Sequence, residues 1–125
     1  MSNHKKKTKI NHNSKIPSCK RNIHFLKYIH SIPKNKRNNI LKKVCSHDEL
    51  NSIIEIFFNF LNKNIPCKNS FIKYLKKYSS HFFKITKKSN SNSIRRKLLT
   101  SKTGGFLLTT LLNIAIPLLS KLYLN

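Results

Sequence analysis

Twenty-six lysines and arginines stand against three acidic residues in this chain of 125, a formal net charge of +23 at neutral pH. That imbalance constrains folding before any motif is read, because self-repulsion at such a charge opposes a compact state unless a polyanion neutralises it. Nucleic acid is the commonest polyanion in a cell or a virion, and an anionic membrane surface comes next. The length allows one small domain, or a smaller folded piece with tails. Lysine far exceeds arginine, and asparagine and isoleucine are plentiful, as in an AT-rich coding sequence. The sign of the charge therefore carries the argument, and the choice of Lys over Arg does not.

Residues 1–21, "MSNHKKKTKINHNSKIPSCKR", hold seven of the basic residues, no acid and little that is apolar. With no periodic face to bury, this segment is predicted to be a disordered basic arm. Its "KKKTK" reads equally as a phosphate-binding patch or a nuclear-localisation signal.

From Asn22 the pattern turns helical. "NIHFLKYIHS" places Ile23, Leu26 and Ile29 or His30 on one face. Pro33 suits the first turn of a second helix, "PKNKRNNILKKV", whose Ile40, Leu41 and Val44 point one way and whose lysines point the other. Ser46-His47-Asp48-Glu49 is a capping box opening a third helix from about Asp48 to Asn62. All three acids lie on that helix, two of them in the first turn, where the helix dipole favours negative charge. Structural duty accounts for them better than catalysis. Leu50, Ile53, Ile54, Phe57 and Leu61 form its stripe, and Ile56, Phe58 and Phe60 widen it almost all the way round, the mark of a central buried helix. After a turn at Pro66, a fourth helix is expected over 69–84. There Phe71, Leu75, Tyr78 and Phe82 form a core stripe more readily than a base-stacking surface, with Lys73, Lys76, Lys77 and Lys84 opposite.

A polar break, "KKSNSNS", leads to a short basic helix, "IRRKLL", and then to the only two glycines. Eighteen uncharged residues separate Lys102 from Lys121. That is borderline for a membrane span, which wants about 20 apolar residues. Gly104 and Gly105 read as a flexible joint ahead of an apolar helix. Phe106, Leu107, Leu111, Ile114 and Leu118 are its candidate contacts with a membrane or a partner, unless the helix folds back as part of the core. The expected fold is thus all-α: a basic arm (1–21), a helical bundle (22–88), a basic linker with a short helix (89–103) and an apolar C-terminal helix (104–125).

Cys19, Cys45 and Cys67 are odd in number and widely spaced, which argues against a disulfide framework, and their spacing from the histidines is poor for zinc. Gly-rich phosphate loops, catalytic carboxylate pairs and nucleophile motifs are absent, so neither an enzyme nor a cofactor is expected.

The order of "IPKNKRNNILKKV", "SHDELNSIIEIFFNFLNKNIPCKNSFIKYLKKY" and "IRRKLLTSKTGGFLLTTLLNIAIPLL" resembles the small basic protein encoded in Maverick/Polinton-type elements and adintoviruses. The likeness runs from about Phe25 to Leu119, and its most specific parts are "NKNIP" and "RRKLL…GGFLL". That family is compared with the virion core peptides of adenoviruses, which condense the genome and are trimmed by a viral cysteine protease. The resemblance implies a DNA-associated virion component, present in the virion and the host nucleus. In this sequence Pro117 comes well after Gly-Gly-Phe-Leu, where relatives often have an early proline, and Lys102 stands where that protease prefers a large apolar residue.

The function expected from the residues is binding of nucleic acid, double-stranded DNA first, without base readout. The contacts would be Lys5, Lys6, Lys7, Lys9, Lys15, Lys20 and Arg21 from the arm, and Lys73, Lys76, Lys77, Arg95, Arg96 and Lys97 from the body. A capsid protein or a membrane is the expected partner of the tail. The alternatives are a membrane-active or membrane-anchored protein, or a regulator acting through protein contacts.

Overall fold

The computed structural model describes residues 17–124, and every regular element there is helical. Eight α-helices follow in order among the described residues: α1 (Pro17–Arg21), α2 (Ile23–Ser31), α3 (Lys34–Asn39), α4 (His47–Leu61), α5 (Asn69–Lys77), α6 (Ser79–Thr86), α7 (Asn92–Leu99) and α8 (Lys102–Tyr123). A π-helical turn, Ile40–Val44, extends α3. The all-α fold expected from the sequence is the one that forms.

Two long helices organise the bundle. Helix α4 packs against α1, α2, α6, α7 and α8, and α8 packs against α1, α2, α4 and α7. The start of α4 is the capping box: Glu49 N donates to Ser46 Oγ at 3.0 Å, and Ser46 N donates to Glu49 Oε1 at 2.8 Å. Two otherwise orphaned amides are thereby satisfied. Leu50, Ile53, Ile56, Phe57 and Phe60 are buried, and each contributes about 1.5–3 kcal/mol relative to exposure. Ile54 and Leu61 are half-buried, and Phe58 faces outward.

Four expectations are corrected. Val44 does not share the apolar side of Ile40 and Leu41. The Cys45 amide bonds to Ile40 O at 2.9 Å, five residues back, and this wider turn rotates Val44 outward to 67% exposure while Leu41 stays buried. The helix expected over 69–84 breaks at Tyr78, giving α5, with no fully buried residue, and α6, which buries Phe82 and Ile85. The bend lets Phe82 pack on Phe57 at 5.2 Å between ring centres while Phe71 stays on Phe60 at 5.7 Å.

Thirdly, the folded body begins before Asn22. Pro17 opens α1, whose Ser18 and Cys19 amides donate to the two oxygens of Glu55 at 3.1 and 3.0 Å. Cys19 is fully buried and its thiol donates to Ser52 O at 3.1 Å. Burial and the nearby Glu55 charge push that thiol far above its ordinary pKa. A five-residue helix has no stability alone, so only this tertiary anchor reveals it. The rest of the expected arm, 1–16, lies outside the described residues.

Finally, the two glycines are no joint. They lie inside the first turn of α8, which starts where Gly104 N donates to Ser101 Oγ at 3.1 Å. A β-carbon on Gly104 would sit 1.8 Å from Leu98 O, so the residue is needed for close approach of α7 rather than for freedom. Behind it, Leu107, Leu108, Leu111, Leu112, Ala115, Ile116 and Leu119 join the core cluster that α4 supplies. His30 of α2 and Asn113 pair across the outer edge at 2.8 Å.

Candidate nucleic-acid interface

All three carboxylates are engaged inside the protein. Asp48 accepts from Arg21 Nη2 at 2.7 Å, Arg21 Nε at 3.2 Å and Asn22 Nδ2 at 2.8 Å. Those bonds hold its carboxyl down to about 2. Glu49 closes the capping box and Glu55 anchors α1. Among the described residues, the side-chain carboxylates are thus committed elsewhere than to Lys73, Lys76, Lys77, Lys84, Lys87, Lys88 and Lys97.

The candidate contacts divide into three groups. Lys5, Lys6, Lys7, Lys9 and Lys15 lie outside the described residues. Lys73, Lys76 and Lys77 stand exposed along one face of α5, at the spacing that aligns side chains on a helix, and Lys97 is exposed near the end of α7. Lys77 Nζ lies 5.5 Å from the Tyr78 ring centre, which steadies it without removing it from water.

The third group is engaged with other parts of the protein, although Lys20 and Arg21 within it stay exposed. Arg96 donates Nη1 to Leu41 O at 2.9 Å and Nη2 to Cys45 O at 2.8 Å, with Cys45 Sγ at 3.1 Å from Nη1. It thus closes the open carbonyl end of the π-helical turn. Arg95 donates Nη2 to Lys87 O at 2.8 Å, just past α6, and burial lowers its pKa. Arg21 is paired to Asp48, and Lys20 lies over the Tyr123 ring at 5.9 Å. Arg95 and Arg96, expected as phosphate contacts, thus commit donors to fastening the bundle.

Sequence reasoning does not single out Arg37, which is 4% exposed and donates Nη2 to Gly105 O at 3.2 Å. Nothing local distinguishes it from the exposed Lys34 and Lys36. Lys84, Lys87 and Lys88 also escape the expected interface, although all three are exposed at the end of α6. The run "KITKK" ahead of a Ser/Asn break is the signal that marks them.

The aromatic residues of α5 are occupied with one another. Phe71 stacks on Tyr74 at 5.4 Å, Tyr74 tilts against Tyr78 at 5.0 Å, and Tyr74 meets Phe106 of α8 edge-on at 6.2 Å. Of the expected tail contacts, Leu107 and Leu111 are buried in the core, Ile114 and Leu118 are half-buried, and Phe106 is 53% exposed.

Cys19, Cys45 and Cys67 are free thiols. Among the described residues no group of three His, Cys, Asp or Glu side chains is placed to hold a metal ion. Comparison with family models, with characterised proteins and with solved structures finds no match.

Proposed function

We propose that the protein binds nucleic acid without reading base sequence, as a virion core protein that condenses double-stranded DNA. The observation that carries this reading is the internal use of every side-chain carboxylate, which leaves the exposed lysines of α5, the end of α6 and α7 as positive charge that those carboxylates do not pair. Phosphates fit that surface because each neutralised contact releases condensed counterions. The self-stacked aromatics favour backbone contact over base stacking. The resemblance of "RRKLL…GGFLL" to the adintovirus and Maverick/Polinton protein supports the virion setting. Trimming after Gly105 would require α7 and α8 to part first, since both glycines are buried.

Helix α8 is, among the described residues, the helix long and apolar enough to cross a membrane by length and composition, with 44% of its most apolar window buried. Insertion would strip α2, α4 and α7 of their common packing partner. Nucleic-acid binding requires no such rearrangement, and so stands first.

The test is binding to an arbitrary-sequence duplex across a salt series, using the full chain and a chain starting at Pro17. The expected result is a steep dependence indifferent to sequence, with log K falling by about 0.9 per log unit of salt for each phosphate contacted. Absence of binding near physiological salt, or strong preference for one duplex sequence, overturns the proposal.

A further inference from the structure

A cavity of about 280 Å³ opens between the C-terminal end of α4 and the pair α5–α6. Its floor is apolar: Phe60, Leu61, Ile72, Leu75 and Phe82. Its polar lining is limited to Lys63, Lys76 and the hydroxyl of Ser79. Both lysines are exposed, and a long side chain of this kind can lay its apolar stem along an apolar surface while keeping its amine in water. Small-molecule sites combine these features, an apolar body with a few polar groups fixing orientation, and this volume is near the lower end of their usual range of about 300–1,000 Å³.

Two details set this cavity apart from a packing flaw. Helix α5, which supplies Ile72, Leu75 and Lys76 to the lining, buries none of its residues fully, so this side of the cavity is not closed over by core packing. Lys63, in the lining, has φ 58°, a left-handed conformation unfavourable for a non-glycine residue. The position is the one after the Asn62 C-cap of α4, where glycine or asparagine is the usual occupant. A lysine is held there, beside an apolar opening, against its backbone preference.

Charge and apolar lining together exclude two occupants. The chain's own 1–16 segment is basic and would be repelled by Lys63 and Lys76. A nucleic-acid phosphate would satisfy the amines but leave the phenylalanine and leucine floor unfilled. We infer that the α4–α5–α6 cavity binds a single-chain anionic amphiphile of the medium-chain fatty acid class, its alkyl chain against Phe60, Leu75 and Phe82 and its carboxylate between Lys63 and Lys76. This site shares Lys76 with the phosphate-binding reading but does not rest on it, since that reading needs no cavity.

The experiment titrates decanoate into the full chain by isothermal calorimetry, with 1-decanol as an uncharged probe of the same chain length. Saturable binding near one molecule per chain is expected, at least tenfold tighter for decanoate than for decanol. Ile72→Phe keeps every charge while filling the cavity, and is expected to weaken decanoate at least tenfold. Leu75→Phe serves the same purpose if that variant misfolds by circular dichroism. Lys63→Gly combined with Lys76→Gln is expected to abolish the preference for decanoate over decanol. Decanoate affinity unchanged in the filled-cavity variant, or many equivalent weak sites per chain, overturns the inference, because the anion would then be held by surface lysines alone. Vesicles of phosphatidylcholine with one-fifth phosphatidylglycerol distinguish the source. Co-sedimentation that falls with Ile72→Phe assigns the chain to a bilayer lipid, and co-sedimentation that does not, alongside tight decanoate binding, assigns it to the free acid.

Discussion

Helices α5 and α7 look alike in the sequence, since each is short, basic and amphipathic, yet they use their cations in opposite ways. Lys73, Lys76 and Lys77 of α5 point into water. Arg95 and Arg96 of α7 turn inward onto the carbonyls of Lys87, Leu41 and Cys45. Those carbonyls lie where α6 and the π-helical turn end, the places where a helix leaves acceptors unmatched and its dipole attracts a cation. A planar guanidinium with several donors can satisfy two or three of them at once, whereas an ammonium on a flexible stem gains more from hydration. A basic helix therefore counts as an interface only where its cations have no backbone to close.

The strongest way to break the comparison is to unseat α7. Gly104→Ala places a β-carbon 1.8 Å from Leu98 O, a backbone atom of α7 that cannot swing aside. A loss of about 3 kcal/mol or more in chemical denaturation is expected, in the range of severe overpacking. Gly105→Ala is the control. Its nearest neighbour is the flexible end of Lys34 at 3.3 Å, and alanine is favoured over glycine in a helix by about 1 kcal/mol, so stability should change little or rise.

Next in size is Arg96→Ala, which leaves Leu41 O and Cys45 O without their partner and is expected to cost about 2–3 kcal/mol. Arg96→Lys should recover less than half of that, because one ammonium cannot reproduce the fork. The salt slope of duplex binding should be unchanged in both variants, provided the measurement is made where they are folded. A flattened slope with normal stability would move Arg96 back to the interface.

The converse substitution, Lys73, Lys76 and Lys77 together to Gln, sharpens the contrast. Exposed side chains held by no more than the Lys77–Tyr78 ring contact change stability by less than about 0.5 kcal/mol each. The slope of log K against log salt should fall by about 2–3, the value of three phosphate contacts. A slope that stays put would mean that α5 faces away from the duplex.

How much of this is legible in the sequence follows from the range of the interactions. The Ser46 capping box and the Leu50–Ile53–Phe57 stripe are local, and they can be read directly from the order of residues. Capping accounts for Glu49, whereas Asp48 in the same first turn is held by Arg21 and Asn22. The inward turn of Arg95 and Arg96 is not legible, because Leu41 lies 55 residues before Arg96 and only the packing of α7 brings them together. The same holds for α1, whose amides depend on Glu55, more than thirty residues away. The glycines mislead for a different reason. A Gly-Gly pair suits a flexible joint and a close helix crossing equally well, and only the position of Leu98 O separates the two.

Arg21 occupies a middle ground between the two helices, since it is basic and exposed but answers an acid rather than a carbonyl. Its partner Asp48 carries the one clear acid-range titration that the structure identifies, with a carboxyl held at about 2 by the hydrogen bonds from Arg21 and Asn22. A carboxyl that is more acidic folded than unfolded adds stability above its unfolded value, near 3.9, and loses it as pH falls toward the folded value. Wild type should therefore exceed Asp48→Asn in melting temperature by a constant small margin from pH 5 to 7, and the margin should close between about pH 4 and 2. The margin should also shrink as salt rises, because both partners are exposed to solvent. If it is instead insensitive to pH, the Asn22 and Arg21 bonds are serving Asp48 as a neutral acceptor. Arg21 would then rejoin the free cations of α5.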